Sequence, residues 1–224
     1  MKNWQVPAHM KLLSNQTVTQ FGYDNQGIIN YSFNSEGFRS TEFDLNSNKL
    51  VVIGNSISFG IGVDESETFA KMLSMSMKKN LHNMSFGCYF HENHDHLANL
   101  KNISDSQGDD IFLVQINNLG RRRISKTEVV QENSKSYCVK KFIDYFDTVE
   151  QLLKNKSRIY LYWDNIDYDL PESITRQFTI HNQFHIDQSL KTNSTTFGKK
   201  THQVIYKVLY SLLNSQRVAD KLIS

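Results

Sequence analysis

Ser56 is the residue of this chain best placed to attack an electrophile. It stands just beyond Leu50-Val51-Val52-Ile53, an apolar run rich in β-branched residues that reads as a short buried strand. The run stops at Gly54-Asn55-Ser56, with Gly60 and Gly62 close behind. In an open α/β sheet, ligands sit in the crevice outside the carboxyl ends of the strands. A helix expected from about Ser66 leaves backbone N–H groups near Ser56 free to stabilise an anion. A serine there becomes a nucleophile only when a base reaches it, and without one it reads as a turn or N-cap residue. A second cluster, His91-Glu92-Asn93-His94-Asp95-His96, puts His91 and His94 on one helical face. It runs into Leu97, Leu100 and Ile103, so its polar residues read as the first turn and solvent face of a packing helix. No metal or cofactor is expected.

The elements that must carry these residues follow from the apolar patterning. Strands are expected near 49–53, 81–85, 110–116 and 158–163. Between them lie helical patterns over Ser66 to Lys79, through Leu97, Leu100 and Ile103, and over Val139 to Lys154. A last helix spans Lys199 to Asn214. Strand alternating with helix predicts a three-layer αβα arrangement around a central parallel sheet. No repeat, linker or low-complexity segment divides the chain, so one domain over residues 1–224 is expected. Residues 1–33 would form a peripheral extension, with a hairpin turning at Asp24-Asn25-Gln26-Gly27.

Composition narrows the classes further. The 224 residues suffice for a core without metal or disulfide staples. Lys and Arg total 25 against 23 Asp and Glu, a net charge of +2 that implies no nucleic-acid partner. Cys88 and Cys138 are too few for a disulfide scaffold. Neither a signal-peptide core nor an apolar run approaching the ~20 residues of a membrane helix is present, so a cytoplasmic protein without a membrane partner is expected.

Around Ser56, Gly54-Asn55-Ser56-Ile57-Ser58-Phe59-Gly60 resembles the Gly-Asp-Ser-x-(Thr/Ser)-x-Gly signature of the SGNH (GDSL-type) hydrolases. Asn34-Ser35-Glu36-Gly37-Phe38-Arg39 looks like that family's Asn-x-x-Gly-Phe-Arg lead-in, and Gly62-Val63 with Glu67-Thr68-Phe69 looks like the segment that follows. The resemblance covers roughly residues 34 to 73 and implies a flavodoxin-like fold. It also implies a serine esterase or deacylase acting on a small acyl or acetyl ester, for instance one on a carbohydrate. In that family a glycine after the second strand lends a backbone N–H to the oxyanion hole. Here Gly87 stands one place early and Cys88 fills the slot. The family's Gly-x-Asn-Asp block aligns with Gln115-Ile116-Asn117-Asn118, which makes Asn117 the side-chain oxyanion donor. Arg121, the first of three arginines beyond it, would bind an anionic group of the substrate.

The remaining triad members depart from the pattern. The family's Asp-x-x-His block precedes the last helix. When Gly198, Lys200, Thr201 and His202 are aligned with it, Thr195 or Thr196 occupies the base position. His202, His185 and His181 are then the histidines that could substitute as base, with Asp187 two residues after His185, in the reverse of the family's order. Two readings follow: a serine esterase with an atypical triad, or a catalytically silent protein that keeps the fold for binding or assembly.

Overall fold

The computed structural model describes residues 4–21, 27–87, 93–106, 109–116, 119–123, 129–132, 134–162, 168–180 and 198–223. A short helix α1 (Ala8–Lys11) leads into an antiparallel hairpin of β1 (Thr17–Phe21) and β2 (Ile28–Ser32). Then come β3 (Lys49–Ile53), α2 (Ser56–Phe59), α3 (Phe69–Met77), β4 (Asn80–Asn83), α4 (Leu97–Ser104) and β5 (Ile111–Ile116). A second antiparallel hairpin, β6 (Arg121–Arg123) and β7 (Val129–Gln131), precedes α5 (Lys135–Leu152). The chain closes with β8 (Ser157–Tyr162), α6 (Glu172–Thr175), β9 (Phe178–Ile180) and α7 (Lys199–Ile223).

Five strands form one parallel sheet in the order β4-β3-β5-β8-β9. Numbered along the chain that is 2-1-3-4-5, the doubly wound order of flavodoxin-like folds. Alternate side chains of β3 feed two separate cores, as the two-residue period of a strand requires. Leu50 and Val52 join Leu73 of α3 and Ile205 and Leu209 of α7 on one face. Val51 and Ile53 join Leu100 and Ile103 of α4 and Phe142, Phe146 and Val149 of α5 on the other. These four apolar β3 side chains are essentially inaccessible to water, and burying each contributes about 1.5–3 kcal/mol. Two helical layers thus cover the sheet, the three-layer α/β class expected.

Element boundaries move where capping residues act. Asp64 Oδ1 accepts from Ser66 N–H at 2.9 Å and holds a 3-10 turn over Glu65–Glu67. Thr68 Oγ1 then accepts from Lys71 N–H, so α3 starts at Phe69 rather than Ser66. Ser134 Oγ accepts from Tyr137 N–H and starts α5 at Lys135, earlier than Val139. The second strand ends at Asn83 rather than 85, and β9 is a fifth, three-residue strand that the patterning missed. Arg121–Arg123 pairs as β6 with β7. The N-terminal segment is less peripheral than expected: Met10, Ile29 and Tyr31 are buried in the core beside α4 and α5.

Candidate active site

The strand order creates the crevice. β4 and β5 lie on opposite sides of β3, and the chain leaves β3 toward the α3 face but leaves β5 toward the α5 face. Ser56 opens α2 three residues past the end of β3, beside the end of β5, and is half-buried. Among the described residues none hydrogen-bonds to its hydroxyl.

The turn that carries Ser56 is held from three sides. From β5, the 1% exposed Gln115 accepts at Oε1 from both Ser58 N–H (3.0 Å) and the Ser58 hydroxyl. Its Nε2 donates to Asn55 Oδ1 at 2.6 Å. Gly54 is required beneath this carboxamide, because a Cβ there would meet Gln115 Oε1 at 2.7 Å and Ser58 Oγ at 2.8 Å. From the end of β4, Asn83 Nδ2 donates to Ser58 O at 2.9 Å, and from the segment after it Phe86 N–H donates to Gly54 O at 3.0 Å.

The third support is Arg39. Its buried guanidinium donates from Nη1 to Phe59 O and Gly60 O and from Nη2 to Val63 O, gathering the chain as it leaves α2. The Tyr31 ring lies 4.2 Å beneath it, and Tyr31 Oη accepts from Gly62 N–H. Burial lowers the Arg39 pKa, opposed by the nearby Tyr31, Glu65 and Asp64. The lead-in motif explains how Arg39 arrives there. Asn34 Oδ1 accepts from Glu36 N–H and Phe38 N–H, and Gly37 takes a φ of 90°, turning Phe38 and Arg39 inward.

Of the oxyanion candidates, Gly87 is brought to the turn. A Cβ on it would strike the Phe59 ring of α2 at 2.8 Å, so only glycine lets this backbone approach. Cys88 and Asn117 lie outside the described residues; Asn117 is the residue directly after the last of β5. Arg121 begins β6 opposite Gln131. His185 and Asp187 also lie outside the described residues, as do His181, Thr195 and Thr196.

His202 is described, and it is not joined to Ser56. It lies in the first turn of α7, fully buried, with its ring stacked on Phe69 at 5.5 Å. Nδ1 accepts from Phe69 N–H at 3.2 Å, which uses the lone pair a general base would need and leaves the proton on Nε2. Desolvation first, and the Arg39 charge second, push its pKa down to about 3. In this arrangement His202 fastens α7 to the start of α3. The earlier histidine cluster packs likewise. His96 is buried and stacks on Phe86 at 4.3 Å, and the His94 ring lies 5.2 Å from that of Tyr145. His91 lies outside the described residues, and no metal-sized group of ligands is found among those described.

Sequence reading missed Gln115, Arg39 and Asn83 as site-building residues. A lone amide inside the apolar run Ile111–Ile116 was the signal for the first.

No protein-family model and no curated protein matches the sequence. Solved structures do match. A lipolytic protein of the G-D-S-L family from Veillonella parvula superposes with a TM-score of 0.50 at 12% identity, over 74% of this chain and 98% of that one. A carbohydrate esterase family 2 enzyme with a carbohydrate binding domain from Corynascus thermopiles (Myceliophthora fergusii) gives 0.46 at 11%, over 75% and 66%. An acetyl xylan esterase from Butyrivibrio proteoclasticus gives 0.44 at 14%, over 79% and 66%. With the serine turn at the switch point of a 2-1-3-4-5 sheet, the chain has the three-layer fold of the SGNH (GDSL-type) hydrolases.

Proposed function

We propose that the protein is a serine ester hydrolase of atypical triad, acting on small acyl or acetyl esters, including those carried on a carbohydrate. One observation carries the reading. A half-buried serine, free of described partners, opens α2 at the sheet's switch point on a turn braced from both neighbouring strands. Ser56 Oγ attacks the acyl carbonyl and gives its proton to a histidine, which passes it to the departing alcohol; water then releases the acid by the reverse transfer. Gly87 and Cys88 amides with Asn117 hold the oxyanion, and Arg121 takes an anionic part of the substrate. His202 is occupied by Phe69 N–H, so His185 is assigned the base, with Asp187 as its partner.

The test is hydrolysis of p-nitrophenyl acetate together with fluorophosphonate labelling. Turnover is expected to be slow beside an ordinary GDSL esterase, because the base is not in the family's place. It should rise with pH through about 6.5, the ordinary histidine range, and vanish in Ser56→Ala and His185→Ala. His202→Gln should leave it in place if the protein stays folded. A folded protein that neither turns over the ester nor labels at Ser56 would sink this reading. The second reading, a pocket kept for binding alone, is favoured by the engagement of His202 away from Ser56 and would then stand.

A further inference from the structure

We propose that Gln115 is the positioning residue of this site, holding both flanks of Ser56 with one buried carboxamide. Three bonds meet on it: Ser58 N–H and Ser58 O–H at Oε1, and Asn55 Oδ1 at Nε2. Asn55 precedes Ser56 and Ser58 follows it by two, so the carboxamide fixes where the backbone enters and leaves the serine. The amide is 1% exposed and belongs to the neighbouring strand, so it also fixes the turn relative to β5. Asn117 lies two residues further along that same chain segment. One side chain therefore ties the serine turn to the strand that leads into the candidate oxyanion donor. Gly54 is the complementary device, since only a residue without a Cβ leaves room for the Gln115 side chain above it.

The consequence for reactivity rests on Ser56 being the nucleophile, whereas the consequence for local order does not. The experiment therefore reads both in the full chain. Amide hydrogen exchange is followed over residues 55–60 and, as reference, over β8 and α5, while a fluorophosphonate reports the labelling rate of Ser56. Gln115→Met keeps the side-chain length and removes all three bonds. Exchange over 55–60 is expected to quicken about tenfold or more, the scale of a lost hydrogen bond to a buried group, with the reference segments unchanged. Ser56 labelling should fall by about the same factor. Gln115→Glu, whose neutral carboxyl offers the same acceptor and one donor, should restore both.

Unchanged exchange over 55–60 in Gln115→Met would overturn the proposal. So would quickening spread evenly over the reference segments, which is loss of stability and not of position. Failure of Gln115→Glu to restore local protection would do the same, since packing alone would then explain the residue. Absence of labelling in the wild type would remove the nucleophile reading and leave the exchange result to decide. Should Gln115→Met not fold, Ser58→Ala replaces it: faster exchange confined to 55–60 supports the tether, and unchanged exchange refutes it.

Discussion

Gly54 and Asn55 are under different constraints although they are neighbours. A methyl group on Gly54 would press on Gln115 Oε1, Gln115 Cβ and Ser58 Oγ, all within 2.8 Å. None of these is a free side-chain end, because the same bonds that build the turn hold them in place. Gly54→Ala should therefore cost about 1–3 kcal/mol in urea unfolding, the usual scale of overpacking, and that cost should be smaller when the same change is made in a Gln115→Gly background, where the clashing side chain is gone. Asn55 contributes an acceptor, Oδ1, to Gln115 Nε2. Asp supplies the same acceptor at the same size, so Asn55→Asp should keep the fold and shift the melting temperature little. A large drop would mean that the Asn55 amide donors carry the turn. These roles were only partly legible in the sequence. The glycine and the serine could be read from their order, but what stands over them depends on the register that sets Ile53 beside Val114. A polar residue inside an apolar strand announces a buried hydrogen-bonding task without naming its partners.

Among the elements, α2 is the least self-sufficient. It has four residues, no side-chain bond from its N-cap, and a left-handed Gly60 at its C-terminal end. Its exit is held by Arg39, reaching 20 or more residues along the chain to three carbonyl oxygens. Arg39→Met preserves much of the apolar stem over Tyr31 but orphans those carbonyls. Unfolding should show a loss of about 2–4 kcal/mol, with hydrogen exchange fastest over residues 59–63. Wild-type stability in that variant would show that water satisfies these oxygens equally well. The same scale shows why some elements were readable. β3, β5 and β8 carry four to six consecutive buried positions, a signal strong enough to stand alone. β9 has three residues at the sheet edge, too few for any period to emerge. The starts of α3 and α5 were displaced because the patterning followed apolar residues while Thr68 and Ser134 set the ends by hydrogen bonding.

At the scale of the whole molecule, three buried histidines among the described residues make the fold sensitive to acid. His82 accepts at Nε2 from Asp44 N–H and stacks on Phe43; His96 stacks on Phe86; His202 joins α3 to α7. Desolvation is the main cause in each, lowering His82 and His96 to about 4 and His202 to about 3. Lys49 and Arg39 add to the effect at His82 and His202, while Asp95 opposes it at His96. The unfolded chain takes up protons at these side chains as pH falls through about 6.5, and the folded chain does not until near 4 or below. More protons bind to the unfolded state in that interval, so stability is complete above pH 6.5 and falls as pH drops toward 4. Each histidine can contribute on the order of a few kcal/mol across the interval, enough in sum to consume much of a domain's margin. Urea midpoints measured from pH 7.5 down to 4.5 should therefore decline steeply. His202→Gln keeps an acceptor for Phe69 N–H but cannot be protonated, so it should flatten the decline by about a third. A slope identical to wild type would mean that His202 is not held neutral, and the base it was expected to provide would again be available.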